Sequence, residues 1–185
     1  MTCWIWSDLH FNHAGILKYC AKTRPVADVA EMNEWLITLW NENVKAKDSI
    51  YIVGDFAFGG SNDGRIQQLF SQLNGKSKYL ILGNHDEKNK GVAKLGWEGV
   101  WDIRTLRGEN KMRAVLCHYP MATWKNAHHD YIMLHGHCHG NLEEEIPHRF
   151  DVGVDAQYGP SPNTLEFYWE LAKTQTFNPV DHHGA

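Results

Sequence analysis

The sequence predicts an α/β or mixed α+β fold, in which a β-sheet carries a cluster of polar side chains at one edge. Two observations lead to this prediction. Short apolar runs typical of buried strands alternate with segments whose apolar residues recur at helical spacing. Most of these runs also stop at a glycine, an aspartate or a histidine. The 185 residues suit a single domain, which we expect at 1–177, followed by a flexible tail at 178–185.

Each predicted element follows from its own residues. In chain order the predicted elements are a strand at 3–7, a helix at 29–43, a strand at 49–53, a helix at 66–73, and strands at 79–82, 114–117, 131–134 and 150–155. The strands are short, apolar and rich in β-branched or aromatic residues. The first helix has Asp28 at its expected N-cap, and Asn74 and Gly75 are expected to end the second.

The composition disfavours several classes of protein. A formal net charge of −4 argues against a protein that binds nucleic acid nonspecifically. No run of about 18 apolar residues is available to span a membrane, and the N-terminus lacks the pattern of a signal peptide, so we expect a cytoplasmic protein. The four cysteines are far apart and form no C-x-x-C pair, which argues against a zinc ribbon. No obligate protein partner is evident.

Five of the apolar runs stop at residue types that bind metal ions. The side chains that follow these runs are Asp8, His10, Asp55, Asn84, His118, His137 and His139. The carboxyl ends of strands in such sheets gather in one crevice. Within each of the pairs Asp8–His10 and His137–His139, extended backbone would point both side chains the same way. Seven nitrogen and oxygen ligands without a thiolate suit manganese, iron, nickel or zinc.

The ordered set D-x-H, G-D, G-N-H-D, H and G-H-x-H resembles the calcineurin-like metallophosphoesterase superfamily, and it extends from Asp8 to His139. The surroundings of Asp8, Gly54–Asp55 and Gly153 further resemble a group of short bacterial and phage phosphoesterases. That group tends to show a Tyr-Cys-x-Arg-Pro stretch. Here two additional residues separate the cysteine from Arg24.

The resemblance implies a four-layer αββα sandwich, two mixed β-sheets flanked by helices, and a centre with two divalent ions. Asp8, His10 and His139 would hold one ion, and Asp55 would bridge to a second ion. The implied ligands that complete the second site are Asn84, His118 and His137. Manganese is the ion that we expect.

The implied reaction is hydrolysis of a phosphoester by a hydroxide that bridges the two ions. His85 would donate a proton, and Asp86 would orient its ring. His13 and Arg24 are candidate substrate contacts. We expect a phosphodiester, either a nucleotide or a nucleic-acid end, because no cap insertion separates the motifs. The alternatives are a phosphomonoesterase acting on a small metabolite and a catalytically silent metal-binding scaffold.

Overall fold

The computed structural model describes residues 1–59 and 64–180. The strands are β1 (Cys3–Trp6), β2 (Ser49–Val53), β3 (Ser77–Ile81), β4 (Gly99–Trp101), β5 (Ile103–Arg107), β6 (Arg113–Cys117), β7 (Ile132–His135), β8 (Arg149–Asp151) and β9 (Asn163–Thr164). The α-helices are α1 (Ile16–Tyr19), α2 (Val29–Asn43), α3 (Gly64–Ser71), α4 (Asn84–Lys88) and α5 (Leu165–Ala172). Short 3₁₀ helices lie at Val92–Lys94, Glu109–Lys111 and Ala127–His129.

The strands form two mixed sheets. The first has the order β4-β3-β2-β1-β9, with β1 to β4 parallel and β9 antiparallel to β1. The second has the order β5-β6-β7-β8, with β6 to β8 parallel and β5 antiparallel to β6. An isolated bridge between Ser7 and Gly153 joins the segment that follows β1 to the segment that follows β8.

Side-chain alternation along the strands divides the core into layers. Ile5, Val53 and Ile81 belong to a cluster that also contains inward-facing residues of the second sheet and of α5. The neighbouring residue in each of these strands faces the opposite side, where α2 and α3 pack. A third cluster covers the outer face of the second sheet with a 3₁₀ helix and loops.

Local chemistry explains the position of α2. The Asp28 carboxylate accepts a hydrogen bond from the Glu31 backbone N–H at 2.9 Å, so it caps the helix as predicted. Met32, Leu36 and Trp40 follow at intervals of four residues and are buried. This face covers the first sheet.

The predicted fold class is confirmed, since the chain forms two mixed sheets with helices. The observed boundaries of two elements differ from the predicted ones by a few residues. The helix predicted at 66–73 is Gly64–Ser71, and the strand predicted at 150–155 ends at Asp151. The sequence analysis missed β4, β5, β9 and the shorter helices. Among the described residues, no helix has the length and apolar character needed to cross a bilayer. Most of the predicted tail, 181–185, lies outside the described residues.

Candidate metal centre

Five of the seven predicted metal ligands have left-handed backbone. Their φ angles are 58° for Asp8, 54° for His10, 53° for Asp55, 71° for His137 and 49° for His139. Such a conformation costs a non-glycine residue on the order of 1–3 kcal/mol and is concentrated at functional sites. The expectation that extended backbone aligns the two ligand pairs is therefore wrong, because the chain turns sharply after each strand. Backbone bonds from Asp8 N to Gly54 O (3.1 Å) and from His10 N to Asp55 O (3.0 Å) hold the first turn.

The Asp55 carboxylate lies at the middle of the cluster. Its Oδ2 atom is 3.5 Å from His118 Nε2, 3.6 Å from His10 Nε2 and 3.9 Å from His85 Nε2. Its Oδ1 atom accepts a hydrogen bond of 2.9 Å from the His85 backbone N–H. One buried carboxylate thus contacts side chains from both sheets.

The pKa values of Asp55, His118 and Asp8 depend on one another because these groups lie close together. Burial raises the pKa of Asp55, but its hydrogen bond to His118 and the nearby histidines outweigh burial and hold the pKa at about 2. Burial lowers the pKa of His118, but the bond to Asp55 and the charge of Asp8 raise it to about 9. Burial raises the pKa of Asp8 to about 6. The carboxylates of Asp8 and Asp55 therefore favour a positive charge between them.

Asn84 and His118 are oriented by specific contacts. Asn84 Oδ1 is 3.2 Å from His118 Nε2 and 3.0 Å from His137 Nδ1. On the other side of its ring, His118 Nδ1 contacts the Val53 carbonyl oxygen at 2.9 Å. With the proton on Nδ1 donated to that carbonyl, a metal that displaced the Nε2 proton would bind His118 through Nε2.

Asp8 and His137 meet where the two sheets approach each other. The His137 backbone N–H lies 3.1 Å from each Asp8 carboxylate oxygen. A Cβ atom at Gly136 would lie 2.0 Å from Ser7 Oγ and 2.4 Å from Asp8 Oδ2. Glycine is required at this position because two loops touch there.

Five of the predicted ligands form groups that could hold a divalent metal ion. Among the described residues, two groups made up wholly of predicted ligands have their donor atoms within 4.8 Å of one another: Asp8 with His10 and His139, and Asp8 with Asp55 and His118. His10 Nε2 is buried and has no hydrogen-bond partner among the described residues. Leaving such a nitrogen unpaired is unfavourable, and coordination would satisfy it. The imidazole and carboxylate donors suit borderline or hard cations.

Asp155 is a residue of the site that the sequence analysis missed. Its Oδ2 atom is 2.8 Å from His139 Nδ1 and 2.7 Å from Arg24 Nη2. A carboxylate behind a histidine fixes the ring and makes the opposite nitrogen a better ligand. The available signal was the stretch Val152-Gly153-Val154-Asp155 around Gly153, which carried part of the resemblance but in which no role was predicted for Asp155.

Arg24 is buried, with 1% of its surface exposed, which places it out of reach of a substrate. Besides Asp155, its guanidinium donates to the backbone carbonyls of Asp8 (2.6 Å) and Leu9 (2.9 Å). The predicted substrate contact is therefore replaced by a positioning role. Arg24 holds the turn that carries Asp8 and His10.

The Asp86 carboxylate accepts hydrogen bonds from backbone N–H groups and, among the described residues, none from the His85 ring. Its Oδ2 atom accepts from Asp55 N (2.7 Å) and Gly83 N (3.0 Å), and its Oδ1 atom accepts from Phe56 N (3.0 Å). Burial raises the pKa of Asp86 to about 7. These bonds tie the turn after β2 to the start of α4, so the structure favours positioning of both turns over orientation of His85.

The remaining residues line the mouth of the centre. The His85 side chain is 27% exposed. His13 Nδ1 is 3.1 Å from His10 Nδ1, and its ring stacks on Phe58 at 4.4 Å between centroids. On the opposite side, the Tyr119 ring meets His137 at 4.9 Å. His13 thus lies beside the site, and its contact with substrate remains a prediction.

Comparison with known proteins places this geometry in a family. A model of the calcineurin-like phosphoesterases matches residues 1–174. An uncharacterised protein of Methanocaldococcus jannaschii is 34% identical over 141 residues, 76% of this chain and 71% of that protein. The Gene 66 proteins of Mycobacterium phages D29 and L5 are 28% and 29% identical, over 86% and 83% of this chain and 90% and 86% of their own lengths.

A solved structure shows the same fold. A protein of unknown function from Aquifex aeolicus superposes with a TM-score of 0.70 at 21% identity, covering 92% of this chain and 98% of that chain. The family match covers both sheets and all the turns that carry the predicted ligands. The chain belongs to the calcineurin-like phosphoesterase family.

Proposed function

We propose that the chain hydrolyses phosphoester bonds at a centre of two divalent ions, with Asp55 shared between them. Asp8, His10 and His139 would complete the first site. The proposed partners of Asp55 in the second site are Asn84, His118 and His137. The observation that carries the proposal is the position of Asp55 Oδ2, within 4 Å of imidazole nitrogens on both sides. A carboxylate with two oxygens is the natural shared ligand.

When bound, two such ions lower the pKa of a water and neutralise charge on the phosphoryl oxygens. The chain's own residues supply the rest. Asn84 adds a neutral oxygen, so the centre keeps its positive charge. His85 is partly exposed and faces the same carboxylate at 3.9 Å, a suitable place from which Nε2 could give a proton to the leaving oxygen.

We further propose a phosphodiester as substrate, in the form of a nucleotide or a nucleic-acid end, and manganese as the ion. The exposed His137 and the partly exposed His85 leave the centre open to a substrate with groups on both sides of its phosphorus. Open access of this kind favours a diester over a small phosphorylated metabolite.

A panel of substrates tests this proposal. The purified chain, supplied with Mn²⁺, is assayed on a phosphomonoester, an open phosphodiester, 2′,3′- and 3′,5′-cyclic nucleotides, and short DNA and RNA, with metal content measured on the same sample. We expect turnover of at least one diester to exceed that of the monoester. Turnover of the monoester alone would contradict the diester assignment. Bound metal without turnover of any substrate would contradict hydrolysis.

A further inference from the structure

An apolar ring lies exposed beside an otherwise polar centre. Phe58 is 48% exposed. One contact of this ring is a near-parallel stack on His13, with centroids 4.4 Å apart and an interplanar angle of 11°. The ring also meets His85, the proposed proton donor, at 5.8 Å in an edge arrangement.

The backbone holds this ring in place. The Phe58 N–H donates to the Phe11 carbonyl at 2.7 Å, and Phe11 pairs with Ala57 in an isolated bridge. His13, which supports the ring from one side, is itself held against His10 at 3.1 Å. A ring fixed before binding loses little conformational entropy when a ligand stacks on it.

A phenylalanine side chain offers no hydrogen bond, so an exposed one contributes to recognition by stacking and by burial of apolar surface. Tyr119 across the mouth is different, because it carries a hydroxyl and meets His137 by an edge at 66°. We propose that Phe58, backed by His13, is a platform on which the base of a nucleotide substrate stacks while the attached phosphate lies at the metal centre. This inference rests on the proposed function, because the phosphate of the same ligand occupies that centre.

Equilibrium binding to the Mn²⁺-loaded protein tests the platform without requiring turnover. The two ligands are adenosine 5′-monophosphate and ribose 5-phosphate, which share the phosphate and the sugar but differ in the base. Calorimetry gives both dissociation constants, and chromatography afterwards verifies that the ligands are intact. Because stacking of one base contributes on the order of tenfold or more in affinity, we expect at least about a tenfold preference for the nucleotide.

Variants assign that preference to one ring. Phe58→Ala should remove the preference, because it weakens binding of the nucleotide far more than binding of ribose 5-phosphate, whereas Phe58→Tyr should retain the preference. Phe167→Ala removes an exposed aromatic ring of α5 and serves as the control. Equal affinity for the two ligands in the unaltered protein would overturn the inference. So would a preference that survives Phe58→Ala, or one that is lost in Tyr119→Ala instead.

A different result would refute the proposed function. Turnover is measured on the substrate panel, separately from binding. A chain that prefers the nucleotide but hydrolyses no phosphoester would refute hydrolysis and still support the platform. A chain that hydrolyses phosphoesters without any preference for a base would support hydrolysis and refute the platform.

Discussion

At the scale of single residues, the centre depends on turns that place charged side chains against one another. Asp55 illustrates this dependence. Its φ of 53° turns the carboxylate towards the imidazoles of the second sheet, and the hydrogen bond that the Asp55 backbone N–H donates to the Asp86 carboxylate holds that turn. Hydrogen bonds to the Asp55 backbone N–H and carboxylate stabilise this turn despite its left-handed φ.

His85→Ala tests the proposed proton donor. His85 lies at the mouth, 27% exposed, and is not one of the proposed metal ligands. We expect the variant to keep nearly all of its bound metal and to lose about 10²-fold or more in turnover, the contribution of a well-placed general acid. Metal analysis and steady-state kinetics on the same preparation measure both quantities. Loss of the metal would assign His85 to coordination instead.

Gly136→Ala tests the contact between the two ligand-bearing loops. The new methyl group would lie 2.0 Å from Ser7 Oγ and 2.4 Å from Asp8 Oδ2, so Asp8 must shift. We expect the affinity for Mn²⁺ to fall by about tenfold or more, in line with what disturbing the surroundings of metal ligands costs. Titration of the metal-stripped protein measures this affinity.

Gly64→Ala is the matched control for this substitution. A Cβ atom at Gly64, the first residue of α3, would meet nothing within 4 Å. We expect unchanged metal affinity and a free energy of unfolding equal to or slightly above that of the original chain. Equal metal affinity in both alanine variants would show that the close approach at Gly136 is unimportant.

At the scale of elements, one buried ion pair ties together the segments after β1 and after β8. Arg24 bonds to Asp155 and to the turn that begins at Asp8. Arg24→Met leaves the Asp155 carboxylate buried without its cation, and we expect a loss of about 3–5 kcal/mol in the free energy of unfolding. Urea denaturation measures it. In the double variant with Asp155→Asn, we expect a loss smaller than the sum of the single ones; strict additivity would contradict the pair.

Asp48 is a buried carboxylate outside the metal centre, and its ionised form contributes to the stability of the fold. It accepts hydrogen bonds from Thr2 N (3.0 Å), Trp4 Nε1 (3.2 Å) and Lys45 N (3.1 Å), which join β1 to the start of β2. Burial raises the pKa of Asp48, but these donors outweigh it and lower the pKa below its ordinary value. Its contribution to stability is therefore fully present above about pH 4 and is lost as the pH falls through the lowered pKa.

Asp48→Asn tests this contribution. The variant cannot titrate at this position, so its stability should fall less steeply between about pH 4 and pH 2 than that of the original chain. Urea midpoints measured across this range give the two slopes. Identical slopes would mean that Asp48 is not the group responsible.

The elements that the sequence revealed are those with strong local patterns. The helix at Val29–Asn43 was predicted to the residue, because its apolar face and its Asp28 cap are local signals. By contrast, β9 has only two residues and is defined by its pairing with β1, which no local pattern encodes. Likewise β5 exposes most of its side chains, so its strand character depends on β6.

At the scale of the whole molecule, the fold brings together proposed metal ligands that are far apart in sequence. In each sheet, the turns that follow the parallel strands lie at the same edge, where the carboxyl ends of those strands meet. The bridge between Ser7 and Gly153 brings this edge of the first sheet against that of the second. The order of the motifs was sufficient to predict this cluster. The contacts behind it were not predictable, because Arg24 and Asp155 meet only through the tertiary fold across 131 residues of sequence.

The metal content of Asp55→Asn tests the central claim most directly, since both proposed ions share this carboxylate. We predict that the original chain, loaded with Mn²⁺ and freed of excess metal, carries about two ions per chain. The variant should retain a normal fold by circular dichroism, carry substantially less metal and show no measurable hydrolysis. Unchanged occupancy of both sites and undiminished turnover in the variant would contradict the account.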